Sequence, residues 1–285
     1  MLNALGNYLT SKGLFSGLLD EFSGAAVAYS LQRLSKSTTN VIRARRSSDN
    51  AEANFGAADI TGGSLASWAG GGDAFVTTWY DQTGNFRDAT QTTASQQPKI
   101  VNSGSVITDA NGHPTLSFDE PSSQYFNVAY LGLYRNRTSA YWASITKLDS
   151  TNAEGLHSAL TALGNARFVL RSTSGNWNIA GRRLDSESFN QTNTTSADTN
   201  SHLQSAELDF SSGTFSHYID SSSVGNLFLG SGGGTSSDTD STAVYIGRFG
   251  ASVYYGGTIS EFVAYGSDQS SNRLAIESNI IGRYG

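Results

Sequence analysis

Past residue 99 the chain alternates apolar and polar positions in short bursts separated by turn residues, the period-two rhythm of β-strands. Lys99–Val101, Thr115–Asp119, Tyr125–Val128 and Ala140–Thr146 read as strands, the second preceded by an Asn111-Gly112 turn. Arg167–Arg171 and Trp177–Gly181 read as a hairpin through Ser174-Gly175-Asn176, and Leu203–Asp209 with Thr214–Asp220 as another about Ser212-Gly213. Ala243–Gly247 and Gly257–Tyr265 complete the series. Such spacing marks a sandwich or barrel.

The first third is more mixed. Val41–Arg45 alternates as a strand, and the β-branched and aromatic run Phe75–Trp79 ends abruptly in Asp81-Gln82-Thr83-Gly84-Asn85, a strand delivering polar side chains to a turn. Asp20–Leu34 is rich in Ala, which predicts a helix. A short helix is also expected within Ala57–Gly70, with Ser64 as N-cap and the following Gly run as its stop. Asp268–Tyr284 predicts a closing helix with Leu274, Ile276, Ile280 and Ile281 as its apolar stripe. At the start, Leu2, Leu5, Leu9 and Leu14 recur at helical spacing. That segment either caps the domain or docks on a partner. The expected organisation is therefore an amino-terminal helical attachment segment over 1–17 and a single domain over 18–285. Asp185–Thr199 and Gly230–Ser241 are polar and Gly/Ser/Thr-rich, and read as surface loops or as variable loops on a recognition face.

Composition narrows the classes. The 285 residues are only 15% charged and 38% apolar, which is not the profile of a disordered chain. A net charge of −6 argues against a sequence-independent grip on nucleic acid. Cysteine is absent, so no disulfide staples the fold. No apolar run reaches the ~18 residues of a membrane-spanning helix, and Met1–Leu9 lacks the features of a signal peptide.

Familiar catalytic constellations are missing. His113, His157, His202 and His217 are scattered without a zinc-binding spacing, and neither a G-x-S-x-G elbow nor a Walker loop occurs. No cofactor is expected. Asp238 and Asp240 offer carboxylates for calcium, against the plainer reading of a solvated acidic loop. For the Arg-rich and Tyr-Asp-Gln segments two readings stand. Arg43, Arg45, Asp81 and Asp88 lie near strand ends, where charge-assisted hydrogen bonds would lock loops together. Alternatively Tyr80, Asp81, Asn85 and Arg87 line a sugar site, with Trp79 in an apolar run and expected in the core.

The pairing of Ile42-Arg43-Ala44-Arg45-Arg46-Ser47-Ser48-Asp49-Asn50 with Trp79-Tyr80-Asp81-Gln82-Thr83-Gly84 resembles the amino-terminal half of the catalytic domain of glycoside hydrolase family 54, the α-L-arabinofuranosidases. The ending Gly257-Thr258-Ile259-Ser260-Glu261-Phe262-Val263-Ala264-Tyr265, polar turn, helix and Tyr284-Gly285 resembles the close of the same domain and of laminin-G-like modules. Related modules recur in bacteriophage structural proteins. The resemblance implies an all-β, concanavalin A-like jelly-roll sandwich of two antiparallel sheets with a few peripheral helices.

It also implies where catalysis would reside. Such retaining enzymes use two carboxylates about 5–5.5 Å apart. The loop matching the family's Asp reads Gly247–Val253, and the strand matching its nucleophile lies near Arg167–Asn176; neither holds a carboxylate. Where the family carries Cys before the Tyr-Asp-Gln strand, this chain has Gly70-Gly71-Gly72-Asp73.

The expectation is thus a non-catalytic bacteriophage virion or decoration protein, assembled in the host cytoplasm and displaying a lectin-like domain. It would attach to other virion proteins through its amino-terminal segment, meet host-surface glycans, and form a homo-oligomer. One alternative is an arabinofuranosidase-like hydrolase using Glu154, Asp185, Glu187, Glu207 or Glu261. Another is a ligand-free capsid or tail cement or fibre protein.

Overall fold

The computed structural model describes residues 16–152, 154–161 and 166–285. The attachment helix expected over 1–17 falls almost wholly outside them. In chain order the early strands are β1 (Val27–Ser30), β2 (Ile42–Arg46), β3 (Glu52–Phe55), β4 (Ala74–Trp79) and β5 (Ala89–Thr90). Then come β6 (Lys99–Asn102), β7 (Ser105–Val106), β8 (Leu116–Phe118), β9 (Phe126–Val128) and β10 (Ser139–Leu148). The middle holds β11 (Glu154–Leu160), β12 (Ala166–Thr173), β13 (Asn176–Gly181), β14 (Asn190–Ser196) and β15 (Ser201–Asp209). The chain ends through β16 (Thr214–Ile219), β17 (Ser222–Phe228), β18 (Ala243–Ile246), β19 (Arg248–Phe249), β20 (Val253–Tyr254) and β21 (Gly257–Tyr265). Among the described residues the helices are few and short: α1 (Leu18–Glu21), α2 (Ala57–Thr61), α3 (Ser64–Ala69) and the closing α4 (Arg273–Tyr284).

The all-β expectation holds: every strand pairing is antiparallel. One run follows the order β3-β2-β4-β5-β9-β18-β11-β12-β13-β14. A second follows β1-β21-β10-β15-β16-β17. The two are not separate sheets. β8 pairs with β21 and with β6, and β6 pairs with β4, so one 19-stranded network curls round on itself in a partly barrel-like way.

The core lies between the two runs. Trp142 on β10 stacks on Phe262 of β21 at 5.9 Å and reaches Phe168 of β12 at 6.5 Å. His157 of β11 sits among these rings, 4.5 Å from Phe262 and 5.0 Å from Phe168. Burial lowers its pKa from 6.5 to about 3, so the ring is neutral. Nδ1 lies 2.5 Å from the Tyr245 carbonyl, which only accepts, so the proton sits on Nδ1 and Nε2 accepts from the Tyr134 hydroxyl at 2.8 Å. Trp79, expected in the core, is fully buried against Tyr29 and Phe126.

Several local expectations are corrected. Asp20–Leu34 is not a helix: α1 is brief and the Ala-rich stretch forms β1, paired with β21 through Val27–Ala264 and Ser30–Glu261. Its small residues suit a strand covered on both faces. Tyr29 packs inward on Trp79, while Ala28 packs outward into a cluster with Ile276 and Ile280 of α4. In the expected Ala57–Gly70 helix, two short helices form, and Gly63, not Ser64, occupies the N-cap of α3. Gly70 ends α3 at φ +66°, as its sequence position implied. The stripe of α4 is Ile276, Glu277, Ile280 and Tyr284, whereas Leu274 and Ile281 are exposed. Within the loop expected over 185–199, Asn190–Ser196 forms strand β14 against β13.

Candidate functional site

The Arg-rich segment is a set of staples. Arg43 of β2 pairs with Glu52 at 2.6 Å and reaches Asn54 on β3. Arg45 bonds Gln97, Asn50 and the Ala94 carbonyl, tying the turn between β2 and β3 to the segment between β5 and β6. Arg46 grips both oxygens of Asp49 and donates to the Trp68 carbonyl.

The Tyr-Asp-Gln turn is built the same way. Asp81 accepts from the backbone N–H groups of Ala28, Thr83 and Arg87 and from the Thr83 hydroxyl, which uses both of its oxygens. Gln82, 7% exposed, is saturated. Its amide donates to the carbonyls of Ser30 and Gln32, and its oxygen accepts from Leu34 N–H and the Thr38 hydroxyl. Asp88 receives the Asp81 N–H at 2.9 Å, and burial raises its pKa. The Tyr80 hydroxyl donates to Asn54 at 2.9 Å, toward β3.

Asn85 and Arg87 stand elsewhere. They line a cleft of about 530 Å³ where the chain enters β1, leaves β4 and leaves β21. Ser23–Ala26 form one wall, Thr83, Asn85 and Arg87 another, and Gly266 with Ser267 a third; Tyr130 and Arg137 come from the long segment between β9 and β10. Of the four sugar-site candidates, the cleft thus gathers Asn85 and Arg87, while Tyr80 and Asp81 lie outside its lining.

A single tyrosine organises both cations. The Arg87 guanidinium lies over the Tyr130 ring, 3.5 Å from its centroid, and donates to the Ala26 carbonyl. Arg137 donates from Nη2 to the Tyr130 hydroxyl at 3.0 Å. The Arg137 guanidinium lies against Gly266, where an added Cβ would come within 2.9 Å of Cζ and Nε. Its Nε is buried with no hydrogen-bond partner among the described residues. Asn85 anchors the turn by donating to the carbonyls of Ala25 and Ala26. Between Asn85 and Arg87, Phe86 adopts φ +57° and is 88% exposed, a strained placement for an aromatic residue that the surrounding bonds enforce.

Sequence reasoning missed Phe86, Tyr130 and Arg137. Phe86 carried a signal, an aromatic inside a turn motif. Tyr130 and Arg137 carried none, because their role arises only when the β9–β10 segment folds across to β1.

The carboxylates considered for hydrolysis are individually engaged. Asp185 pairs with the buried Arg167, Glu187 with Arg183, Glu261 with Arg283, and Glu207 accepts from Tyr218. Glu154 at the start of β11 is 3% exposed and accepts from Ser150 and the Gly256 N–H; burial raises its pKa. It lies beside the β19–β20 hairpin, the segment matched to the family's Asp loop; Gly155 approaches the backbone of Phe249 and Val253. There Arg248 occupies the middle of a tyrosine cluster, 4.6 Å from the Tyr125 ring and 4.7 Å from the Tyr245 ring. Asp240, weighed for calcium, faces Arg135 at 3.5 Å. Among the described residues no three His, Cys, Asp or Glu side chains converge to hold a metal ion, and no helix is long and apolar enough to cross a membrane.

No family model and no curated protein matches this chain. Solved structures do. A glycoside hydrolase family 54 α-L-arabinofuranosidase, solved as a mutant soaked with 4-nitrophenyl α-L-arabinofuranoside, aligns with a TM-score of 0.60 at 11% identity, covering 93% of this chain and 64% of that one. An arabinofuranosidase complexed with arabinofuranosyl-α-1,2-xylobiose aligns at 0.55 and 12% identity with the same coverage. A Trypanosoma rangeli sialidase in complex with the inhibitor DANA aligns at 0.49 and 13% identity over 70% of this chain and 30% of that one. This chain therefore spans less than two thirds of each of those proteins. Its likeness to the two arabinofuranosidases is one of fold, a mostly antiparallel β architecture.

Proposed function

We propose that this protein is a non-catalytic, lectin-like domain of the concanavalin A-like jelly-roll class that binds glycans in the cleft between β1 and the β9–β10 segment. The observation that carries the reading is the joint lining by Asn85, Arg87, Tyr130 and Arg137. Hydrogen-bonding side chains converge there beside an aromatic ring, in a volume of about 530 Å³ that suits one or two sugar rings. Phe86, exposed between Asn85 and Arg87 but outside the cleft lining, offers an apolar face of the type that stacks on sugar rings.

The pairing of Asp185, Glu187 and Glu261 with arginines supports the absence of hydrolysis, since a general acid must be free to reach the glycosidic oxygen. The further proposal, in line with the sequence resemblance, is display on a bacteriophage particle. Attachment there runs through the amino-terminal segment to other virion proteins, and weak contacts are multiplied by copy number.

A glycan array read for both binding and product release tests the proposal. Binding without turnover is the expected result, and binding that survives Asn85→Ala combined with Arg87→Ala would move the site away from this cleft. Silence on every glycan favours the ligand-free cement reading. A hydrolytic reading is favoured by one feature, the raised pKa of Glu154 beside the β19–β20 hairpin. Release of 4-nitrophenol from its α-L-arabinofuranoside, lost in Glu154→Gln, would establish it instead.

A further inference from the structure

The charge of the cleft opposes that of the protein. The chain carries 24 acidic against 18 basic residues, yet the cleft is lined by Arg87 and Arg137 with no Asp or Glu among the described residues. Several arginines elsewhere are neutralised. Arg43, Arg46, Arg167, Arg183, Arg273 and Arg283 each face a carboxylate. Arg45, Arg171, Arg182 and Arg248 stand singly on carbonyl, amide, hydroxyl or ring partners, so the cleft differs in bringing two such cations together. Arg87 and Arg137 make no ion pair among the described residues; their partners are a carbonyl, a hydroxyl and a π-face. Each is held in place without its charge being spent.

We infer that the ligand of this cleft is a sugar bearing an anionic substituent, a carboxylate or a sulfate ester, gripped between Arg87 and Arg137. The inference rests on the glycan-binding reading above and narrows it to a substrate class. Guanidinium groups present planar forks of N–H donors that match carboxylate and sulfate oxygens, and two of them fixed in one concavity favour an anion over a neutral hydroxyl cluster. Gly266 is part of the device. The missing Cβ lets the Arg137 guanidinium lie flat on the backbone, so any larger side chain displaces the charge without deleting it. The hydroxyls of Ser23 and Ser267 remain in the lining for the uncharged part of the sugar ring, whereas that of Thr83 is engaged by Asp81 and the Asn85 N–H.

The test is a calorimetric titration of the full chain with three matched probes: a glucuronate-containing disaccharide, its carboxyl-reduced counterpart, and that reduced disaccharide sulfated on the new 6-hydroxyl. At least one anionic probe is expected to bind about tenfold or more tighter than the neutral one, with an affinity that falls as salt rises. Which anionic probe does so identifies the source of the charge. Arg137→Ala is expected to erase the preference, and Gly266→Ala to weaken it, with circular dichroism unchanged. If one variant fails to fold, the other carries the test.

Equal binding of all three probes overturns the inference while leaving the glycan reading intact. A preference left undiminished in a folded Arg137→Ala or Gly266→Ala protein overturns the assignment to this cleft. Binding of none of these probes, with none on the array, removes the glycan reading and the inference with it.

Discussion

The Arg87 guanidinium lies 3.5 Å from the centroid of the Tyr130 ring, although the two residues belong to segments separated by β5 through β9. This contact brings the turn after β4 under the segment before β10 and forms the floor of the cleft. Tyr130 holds two cations in different ways, one by its face and the other by its hydroxyl.

Two substitutions at Tyr130 separate those roles. Tyr130→Phe keeps the ring beneath Arg87 and removes only the hydroxyl that receives Arg137. Tyr130→Ala removes both. A cation–π contact at a partly desolvated site contributes about 0.5–2 kcal/mol, so Tyr130→Ala is expected to weaken glycan binding by about 2- to 30-fold, and Tyr130→Phe by less. Titration calorimetry with a glycan selected on the array reads both. Equal losses in the two variants would mean that the ring face contributes nothing.

Gln82 is a structural clamp, and its removal is a stability experiment. Gln82→Ala leaves the carbonyls of Ser30 and Gln32, the Leu34 N–H and the Thr38 hydroxyl without this partner. At about 1–3 kcal/mol for each buried group left unsatisfied, less what water recovers, a total loss of about 2–4 kcal/mol is expected. Urea unfolding measures it. A loss below about 0.5 kcal/mol would show that the four bonds are dispensable.

Two buried histidines set an acid limit on stability. Burial lowers the pKa of His157 and His217 from 6.5 to about 3. Between those values the unfolded chain takes up a proton on each ring and the folded chain does not. Their contribution is therefore fully present above pH 6.5 and is lost as pH falls toward about 3. The melting temperature is expected to drop on acidification from about pH 7 to about pH 4.5, while both imidazoles keep neutral-ring NMR shifts. Rings that titrate near the unperturbed value in the folded protein would contradict the burial of these side chains.

Gly257, the first residue of β21, tolerates no side chain. Its φ is +144°, and a Cβ there would lie 2.0 Å from the Lys147 carbonyl oxygen of β10. The clash is with backbone in the middle of the strand network, where no flexible group can yield. Gly257→Ala is expected to cost about 3 kcal/mol or more, or to prevent folding. Expression with a normal thermal melt would refute the close approach of β10 and β21 at this point.

The parts of the fold legible in the sequence were those where one face is buried and the other wet. The hairpin of β12 and β13 declared itself through alternation and Ser174-Gly175, both at positive φ. β1 did not, because both of its faces are covered and its small residues fit under α4. β14 did not either. Its Asn and Thr residues are half-exposed and it is held by pairing with β13, so no apolar period marks it. β11 was hidden by Gly155, which makes room for the β19–β20 hairpin, and by His157, a polar residue type used as core. At the cleft, Asn85 and Arg87 were visible because a turn motif surrounds them. Arg137 was invisible because nothing local distinguishes it from Arg135, which points instead to Asp240.

The saturation of Gln82 bears on what a sequence signature can report. Each polar atom of that amide is consumed in closing the turn over residues 30–38, and both oxygens of Asp81 in closing its own loop. The Tyr-Asp-Gln-Thr-Gly string is therefore a fastening of the architecture, and its presence alone says nothing of chemistry. What the protein does has to be sought in the residues that line the cleft, beginning with positions 85, 87 and 137.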